Sequence, residues 1–117
     1  MPGHIKSTLV LTGSRASAST FTSPAIGLRP ERDSTIYVHV FATAVSGTTP
    51  SLVVSLEWSH DGTNFAPADG TADTMTAITA VGGLVKGFAI KAPYFRIKEV
   101  VTGTSPNITR DINITYT

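Results

Sequence analysis
The sequence predicts an all-β domain, an antiparallel sandwich or barrel of about eight short strands. Three observations predict it. No window carries a sustained helical period, and Gly or Pro interrupts every long one. Several windows instead alternate apolar and polar residues and are rich in β-branched and aromatic side chains. Turn signals separate these windows at regular intervals, the pattern of sandwiches and barrels.

The elements follow in order. Ser7 to Leu11 is short and apolar, and Ser19 to Ser23 alternates around Phe21. Ser34 to Val45 ("STIYVHVFATAV") is dense in strand formers. Ser51 to Ser59 places Leu52, Val54, Leu56 and Trp58 on one face and Val53, Ser55 and Glu57 on the other, the period of a half-buried strand. Asp61-Gly62 is a strong turn signal and should fold this strand back onto a short one starting near Asn64 or Phe65. Thr74 to Val81 and Gly83 to Ile90 read as a pair around Gly82-Gly83, and Tyr94 to Val101 and Asn107 to Thr117 complete the set.

One phrase occurs twice. "VSGTTPSL" (Val45 to Leu52) returns as "VTGTSPNI" (Val101 to Ile108), 56 residues later (101 − 45). Gly47 and Gly103 can take positive φ, and Pro50 and Pro106 fix φ at the next strand's entry. Thr48, Thr49, Thr104 and Ser105 can bond the turn backbone. Each copy is therefore expected to close a hairpin, as scaffold rather than as a duplicated site. The match continues beyond the turn: Leu52, Leu56 and Trp58 correspond to Ile108, Ile112 and Ile114. Arg110 falls where Val54 sits and breaks the pattern, which suggests an edge, a rim or a bulge.

Composition narrows the function. With 117 residues the chain suits one domain with one core. Only 15% of residues are charged, and Ser and Thr take their place. Such a surface suits extensive burial against a partner, and hydroxyl-rich β proteins share it. Net charge is +1 and the cations are scattered, which argues against a nucleic-acid surface. Cysteine is absent, so thiol catalysis, disulfides and thiolate metal sites are excluded. The N-terminal apolar run Leu9-Val10-Leu11 is too short for a signal peptide, and no stretch suits a membrane span. A protein made in the cytoplasm is expected.

No catalytic or metal constellation stands out. His4, His39 and His60 share no ligand spacing. His39 has opposite parity to Val38 and Val40 and reads as a surface position. Asp61, Asp69 and Asp73 cluster in one loop region, but "DGTAD" (Asp69 to Asp73) lacks the spacing and terminal Glu of a calcium loop. Trp58 reads as core. Arg96 and Lys98 share one face of their strand, either as a solvated face or to meet an acidic partner. No metal, no cofactor and no enzyme activity are expected.

Val40 to Pro67 ("VFATAVSGTTPSLVVSLEWSHDGTNFAP") with Ala92 to Tyr116 ("APYFRIKEVVTGTSPNITRDINITY") resembles small β-sandwich virion proteins of tailed bacteriophages. The shared marks are Gly47-Thr48-Thr49-Pro50, the turn Ser59 to Phe65, Tyr94-Phe95-Arg96 and Gly103-Thr104-Ser105-Pro106. They are mostly turns, and so speak to fold more than to function. The resemblance implies a jelly-roll sandwich acting as a capsid decoration (cement) protein, a trimer that clamps neighbouring capsomers on the capsid exterior. Similar domains also serve in tails and fibres.

Two organisational expectations accompany that reading. Residues 1–18 form an N-terminal arm, either frayed or ordered on a partner, and 19–117 form the sandwich. Contact with the major capsid protein is expected at His4, Ile5 and Lys6, and at Arg96, Lys98 and Arg110. The rival is a carbohydrate- or protein-binding module of a tail or fibre, which a solvent-accessible Trp58 would favour.

Overall fold
The computed structural model describes residues 6–29, 34–70 and 73–116, and only the backbone path for residues 6–10. The described chain is all strand and loop, in one antiparallel sheet of seven strands. They are β1 (Lys6–Arg15), β2 (Ser19–Thr22), β3 (Ile26–Gly27), β4 (Thr35–Ser59), β5 (Ala66–Pro67), β6 (Gly82–Ala89) and β7 (Tyr94–Tyr116). Lys6–Arg15, which falls in the expected arm, is a strand paired along β7 from Lys6↔Tyr116 to Arg15↔Ile108.

Two strands organise everything else. β4 and β7 pair antiparallel along their whole lengths, from Ile36↔Tyr116 to Ser59↔Tyr94. A straight strand of 25 residues would reach about 80 Å at ~3.3 Å per residue. The molecule's longest extent is 45 Å, so both strands bend. They bend at the repeated phrase, where the register shifts between Ser46 and Thr48 and again between Thr48 and Ser51.

This overturns the hairpin reading. The two copies do not each close a hairpin; they face each other across one ladder, with Thr48 opposite Thr104. Backbone φ is positive at Gly47 (109°) and Thr49 (48°), and at Gly103 (122°) and Ser105 (49°). Each copy is a bulge that supplies the bend of its own strand. The pairing explains the repeat. Adding 56 turns Val45↔Ile108 into Leu52↔Val101, and Ser46↔Asn107 into Ser51↔Thr102. The Thr48↔Thr104 pair maps onto itself, so a local two-fold passes through it. Antiparallel partners bent at the same place need the same bulge on both sides, and hence the same residues.

The bend folds the sheet into two layers. The first holds β1, β7 from 107 to 116, β4 from 35 to 46, and β6. The second holds β2 and β3, β7 from 94 to 102, β4 from 51 to 59, and β5. Alternation sends Ile36, Val38, Val40, Ile112 and Ile114 of the first layer into the core, with Leu52, Leu56, Trp58, Phe95 and Ile97 of the second.

The loop between β5 and β6 seals one edge. Thr74 to Val81, expected as a strand pairing with β6, makes only isolated bridges, and these go to β4, Leu52↔Ile78 and Ser55↔Thr74. The amides of Leu52 and Ile78 donate to each other's carbonyls at 2.9 and 2.8 Å. Met75 and Ile78 are thereby pressed into the core. β6 pairs with the other half of β4, from Thr35↔Ala89 to Ala42↔Gly82. Lys86 on β6 bridges the layers, donating from Nζ to the Thr74 carbonyl at 2.8 Å. The Asp61-Gly62 turn does return the chain onto β4, with Glu57↔Pro67 and Trp58↔Ala66.

Candidate functional site
The expected contact residues fall into three situations. His4 and Ile5 lie outside the described residues, and of Lys6 only the backbone is described, opposite Tyr116. Arg96 and Lys98 do share a face, the outer face of the second layer, as the alternation of β7 requires. Both meet Glu57: Arg96 Nε donates to Glu57 Oε1 at 2.7 Å, and Lys98 Nζ stands 3.9 Å from Glu57 Oε2. The Arg96 guanidinium also covers the Phe65 ring at 4.6 Å. Two cations share one carboxylate, so this face retains an excess positive charge.

Arg110 is elsewhere. A bulge does lie opposite it, between Ala42 and Ala44, but the side chain points into the core and is 1% exposed. Its Nε and Nη2 donate to the two oxygens of Glu99, both at 2.7 Å, and Nη1 donates to the Gly13 carbonyl at 3.1 Å. Arg15 adds two more donors to Glu99 Oε1, Nη2 at 3.0 Å and Nε at 3.2 Å, and lies over the Phe21 ring at 4.2 Å. Arg110 is thus an internal tie between layers, with no surface to offer a partner. The bidentate fork matches carboxylate geometry, which is why Arg serves at this position.

The acidic loop does not converge either. Asp73 is buried and accepts from the Trp58 indole at 2.5 Å and from Lys91 Nζ at 2.9 Å. Asp61 is exposed and organises its own turn. Its Oδ1 accepts from the amides of Asn64 and Thr63 and from the Ser59 hydroxyl, and its Oδ2 from the Asn64 side chain. The Asn64 amide foremost, then these others, hold its carboxyl well below the usual aspartate range. A pocket of about 140 Å³ is lined by Glu57, Asp73, Thr74 and Lys98 among others, and neither His60 nor Asp61 reaches it. Among the described residues no group of three His, Asp or Glu is placed to hold a metal ion.

One surface was not anticipated from the sequence. On the outer face of the first layer Tyr37 and Phe41 are exposed, with His39 between them. Opposite them on β6 stand Gly87, Val85 and Gly83. The rings lean across onto the glycines. A Cβ on Gly83 would meet Phe41 Cδ2 at 2.8 Å, and one on Gly87 would meet Tyr37 Cε1 at 2.8 Å. The signal was in the sequence: Tyr37, His39 and Phe41 share one parity, opposite to Ile36, Val38 and Val40. Trp58, by contrast, is 7% exposed and belongs to the core.

No protein-family model matches the chain, and no curated protein matches it. Several solved structures share its fold. PBSX exported protein XepA superposes with a TM-score of 0.62 at 10% identity, over 95% of this chain and 36% of that one. The chain thus spans little more than a third of XepA. A chain of Bacillus endospore appendages, described as disulfide-linked pili, gives 0.53 at 15% identity, over 97% and 88%. A chain of Broad Bean Stain Virus gives 0.50 at 13% identity, over 97% and 86%. At these identities the likeness is one of fold. The disulfide linkage of the appendage pili has no counterpart here, because this chain has no cysteine.

Proposed function
We propose that this chain is a non-enzymatic virion structural protein, which decorates a tailed-phage capsid from outside and stabilises it by bridging capsomers as a trimer. The observation that carries the reading is the fold, shared with chains from a virus and from pili. It agrees with the resemblance carried by the phrases Gly47 to Pro50 and Gly103 to Pro106. The interior supports the same role. Two layers are tied by Arg110–Glu99 and by Lys86, which suits a rigid clamp better than a moving catalyst.

Such a protein works by mass action. A subunit that binds the assembled shell and not its loosened form stabilises the shell by RT ln(1 + [L]/Kd). Contact would fall to the N-terminal residues His4, Ile5 and Lys6 and to the cationic face of Arg96 and Lys98, meeting acidic groups on the major capsid protein. Arg110 takes no part in it. Neither nucleic acid nor membrane enters the reading.

The test is mass determination in solution followed by co-sedimentation with empty phage capsids. The expected result is a trimer that pellets with shells and raises their melting temperature. A monomer that stays in the supernatant, and leaves shell melting unchanged, overturns the reading. Burial of Trp58 removes the aromatic that would have favoured a glycan-binding tail module through that residue.

A further inference from the structure
The outer face of the first layer has the chemistry of a ligand platform. Tyr37 and Phe41 are 41% and 46% exposed, and Val85 between them is 60% exposed. The largest exposed apolar patch of a monomer is often functional, above all where polar residues rim it. Here the rings are also positioned. Gly83 and Gly87 leave room for one edge of each ring to lie on the β6 backbone, and any larger residue would displace it. The His39 ring meets Phe41 edge to face, with centroids 6.4 Å apart. Beside this strip runs a polar row on β7: Thr115 opposite Tyr37, Asn113 opposite His39, and Asp111 opposite Phe41.

Three properties identify the occupant. The first is ring chemistry: an aromatic face is electron-rich and takes the C–H face of a sugar ring, while neighbouring hydroxyl and amide groups bond its hydroxyls. The second is charge. Among the described residues the face carries no lysine or arginine, and its one carboxylate, Asp111, already accepts from Thr12. A nucleic acid or an acidic polymer would find no counter-charge there. The third is size. Tyr37 and Phe41 lie four residues apart, about 13 Å along the strand, on a strip three strands wide at ~4.8 Å each, of the order of 200 Å². That is room for a short run of sugars, and well short of the roughly 800 Å² per partner of a stable protein interface.

We infer that this face binds a neutral polysaccharide, whose sugar rings stack on Tyr37 and Phe41 while Asn113 and Asp111 take its hydroxyls. The site holds whether or not the chain decorates a capsid, since it lies on the opposite layer from Arg96 and Lys98.

The experiment is affinity electrophoresis of the full chain through native gels cast with hydroxyethylcellulose, dextran, a soluble β-1,3-glucan or a galactomannan. Retardation by at least one polymer is expected. Tyr37→Ala and Phe41→Ala should each weaken it at least tenfold. Phe41→Tyr should retain it. Gly87→Ala keeps Tyr37 but denies its ring the resting place, and should weaken retardation several-fold. Unchanged circular dichroism and melting temperature establish that the variants are folded. Migration unaffected by every polymer overturns the inference, as does equal retardation of the Tyr37→Ala/Phe41→Ala pair. Retardation by poly(dT) or heparin in place of the neutral polymers overturns it, and so does a concentration-dependent dimer that Phe41→Ala abolishes.

Discussion
Glu99 and Arg110 stand eleven residues apart on one strand and close a two-pronged ion pair in the protein interior, with both contacts at 2.7 Å. A straight strand would separate them by about 36 Å. The pair therefore exists only because β7 folds back on itself at Gly103 to Pro106. Both side chains are 1% exposed. Taking a charge out of water costs several kcal/mol, and only the partner offsets it.

That asymmetry gives the first prediction. Glu99→Gln should lower unfolding free energy by about 3–5 kcal/mol, because it strands the buried Arg110 guanidinium, and Arg110→Leu should cost less, because Arg15 still meets Glu99. The double variant Glu99→Leu/Arg110→Met should recover a large part of the loss, although Arg15 then loses its carboxylate. Urea denaturation of the four proteins checks this. Glu99→Gln within ~1 kcal/mol of wild type would show the pair to be solvated in solution.

The two bulges predict an ordered series among the glycines. A Cβ on Gly47 would meet the Ser105 carbonyl oxygen at 2.6 Å, and one on Gly103 would meet the Thr49 oxygen at 2.8 Å. Gly13 has a similar φ of 103°, and a Cβ there meets nothing within 4 Å. Gly13→Ala should cost about 1 kcal/mol from backbone strain alone. Gly47→Ala and Gly103→Ala should cost about 3 kcal/mol, since strain and a backbone collision combine. Equal losses at all three sites, in thermal melts, would remove the packing argument.

Thr49 and Ser105 run the other way. Both are non-glycine residues at positive φ, and Thr49 is β-branched, the poorest type for that region. Thr49→Asn should raise stability by up to about 1 kcal/mol, because Asn tolerates the left-handed conformation. The Thr49 hydroxyl bond to the Thr48 carbonyl is local and exposed, and its loss should not offset the gain. A lower melting temperature for Thr49→Asn would contradict this.

Buried Asp73 predicts a spectroscopic change. It accepts from the Trp58 indole and from Lys91. Asp73→Asn keeps an acceptor for the indole and should cost less than Asp73→Leu, which leaves a buried N–H without its partner at about 1–3 kcal/mol. Tryptophan emission in Asp73→Leu should shift, and because Trp58 is the only tryptophan the signal has one source. Emission and stability identical to wild type would refute the contact.

Asp61 carries a pH prediction. Its carboxyl is held below the ordinary aspartate value by the amides of Asn64 and Thr63, the Asn64 side chain and Ser59. The folded turn thus favours the carboxylate. Its contribution is complete above the ordinary value of about 3.9, and is lost as pH falls below that toward the folded titration point. Carboxyl NMR should show Asp61 titrating below the ordinary aspartate range, and Ser59→Ala should move it upward. An ordinary midpoint for Asp61 would contradict the turn geometry.

Much of this architecture was legible in the residues. Alternation in Ser34 to Val45 and Ser51 to Ser59 fixed which side chains face the core, because a strand's period of two is a local property. Asp61-Gly62 announced its turn for the same local reason, and Trp58 was placed correctly by parity. What parity could not supply was a partner. Thr74 to Val81 pairs with β4 rather than β6, and Arg110 is buried by a carboxylate that sequence distance hides.

The repeated phrase marks the boundary between the two kinds of knowledge. By itself the sequence determined an all-β chain, its inward and outward faces, and two equivalent Gly-Thr-Thr/Ser-Pro irregularities, because glycine φ, proline ring closure and side-chain alternation act within a few residues. Only the tertiary structure decided that the two irregularities face each other across one ladder and fold the sheet in two. The same local residues can close a hairpin or bend a long strand. The choice is made by long-range burial, in which one bend brings Glu99 to Arg110 and closes both layers over a single core.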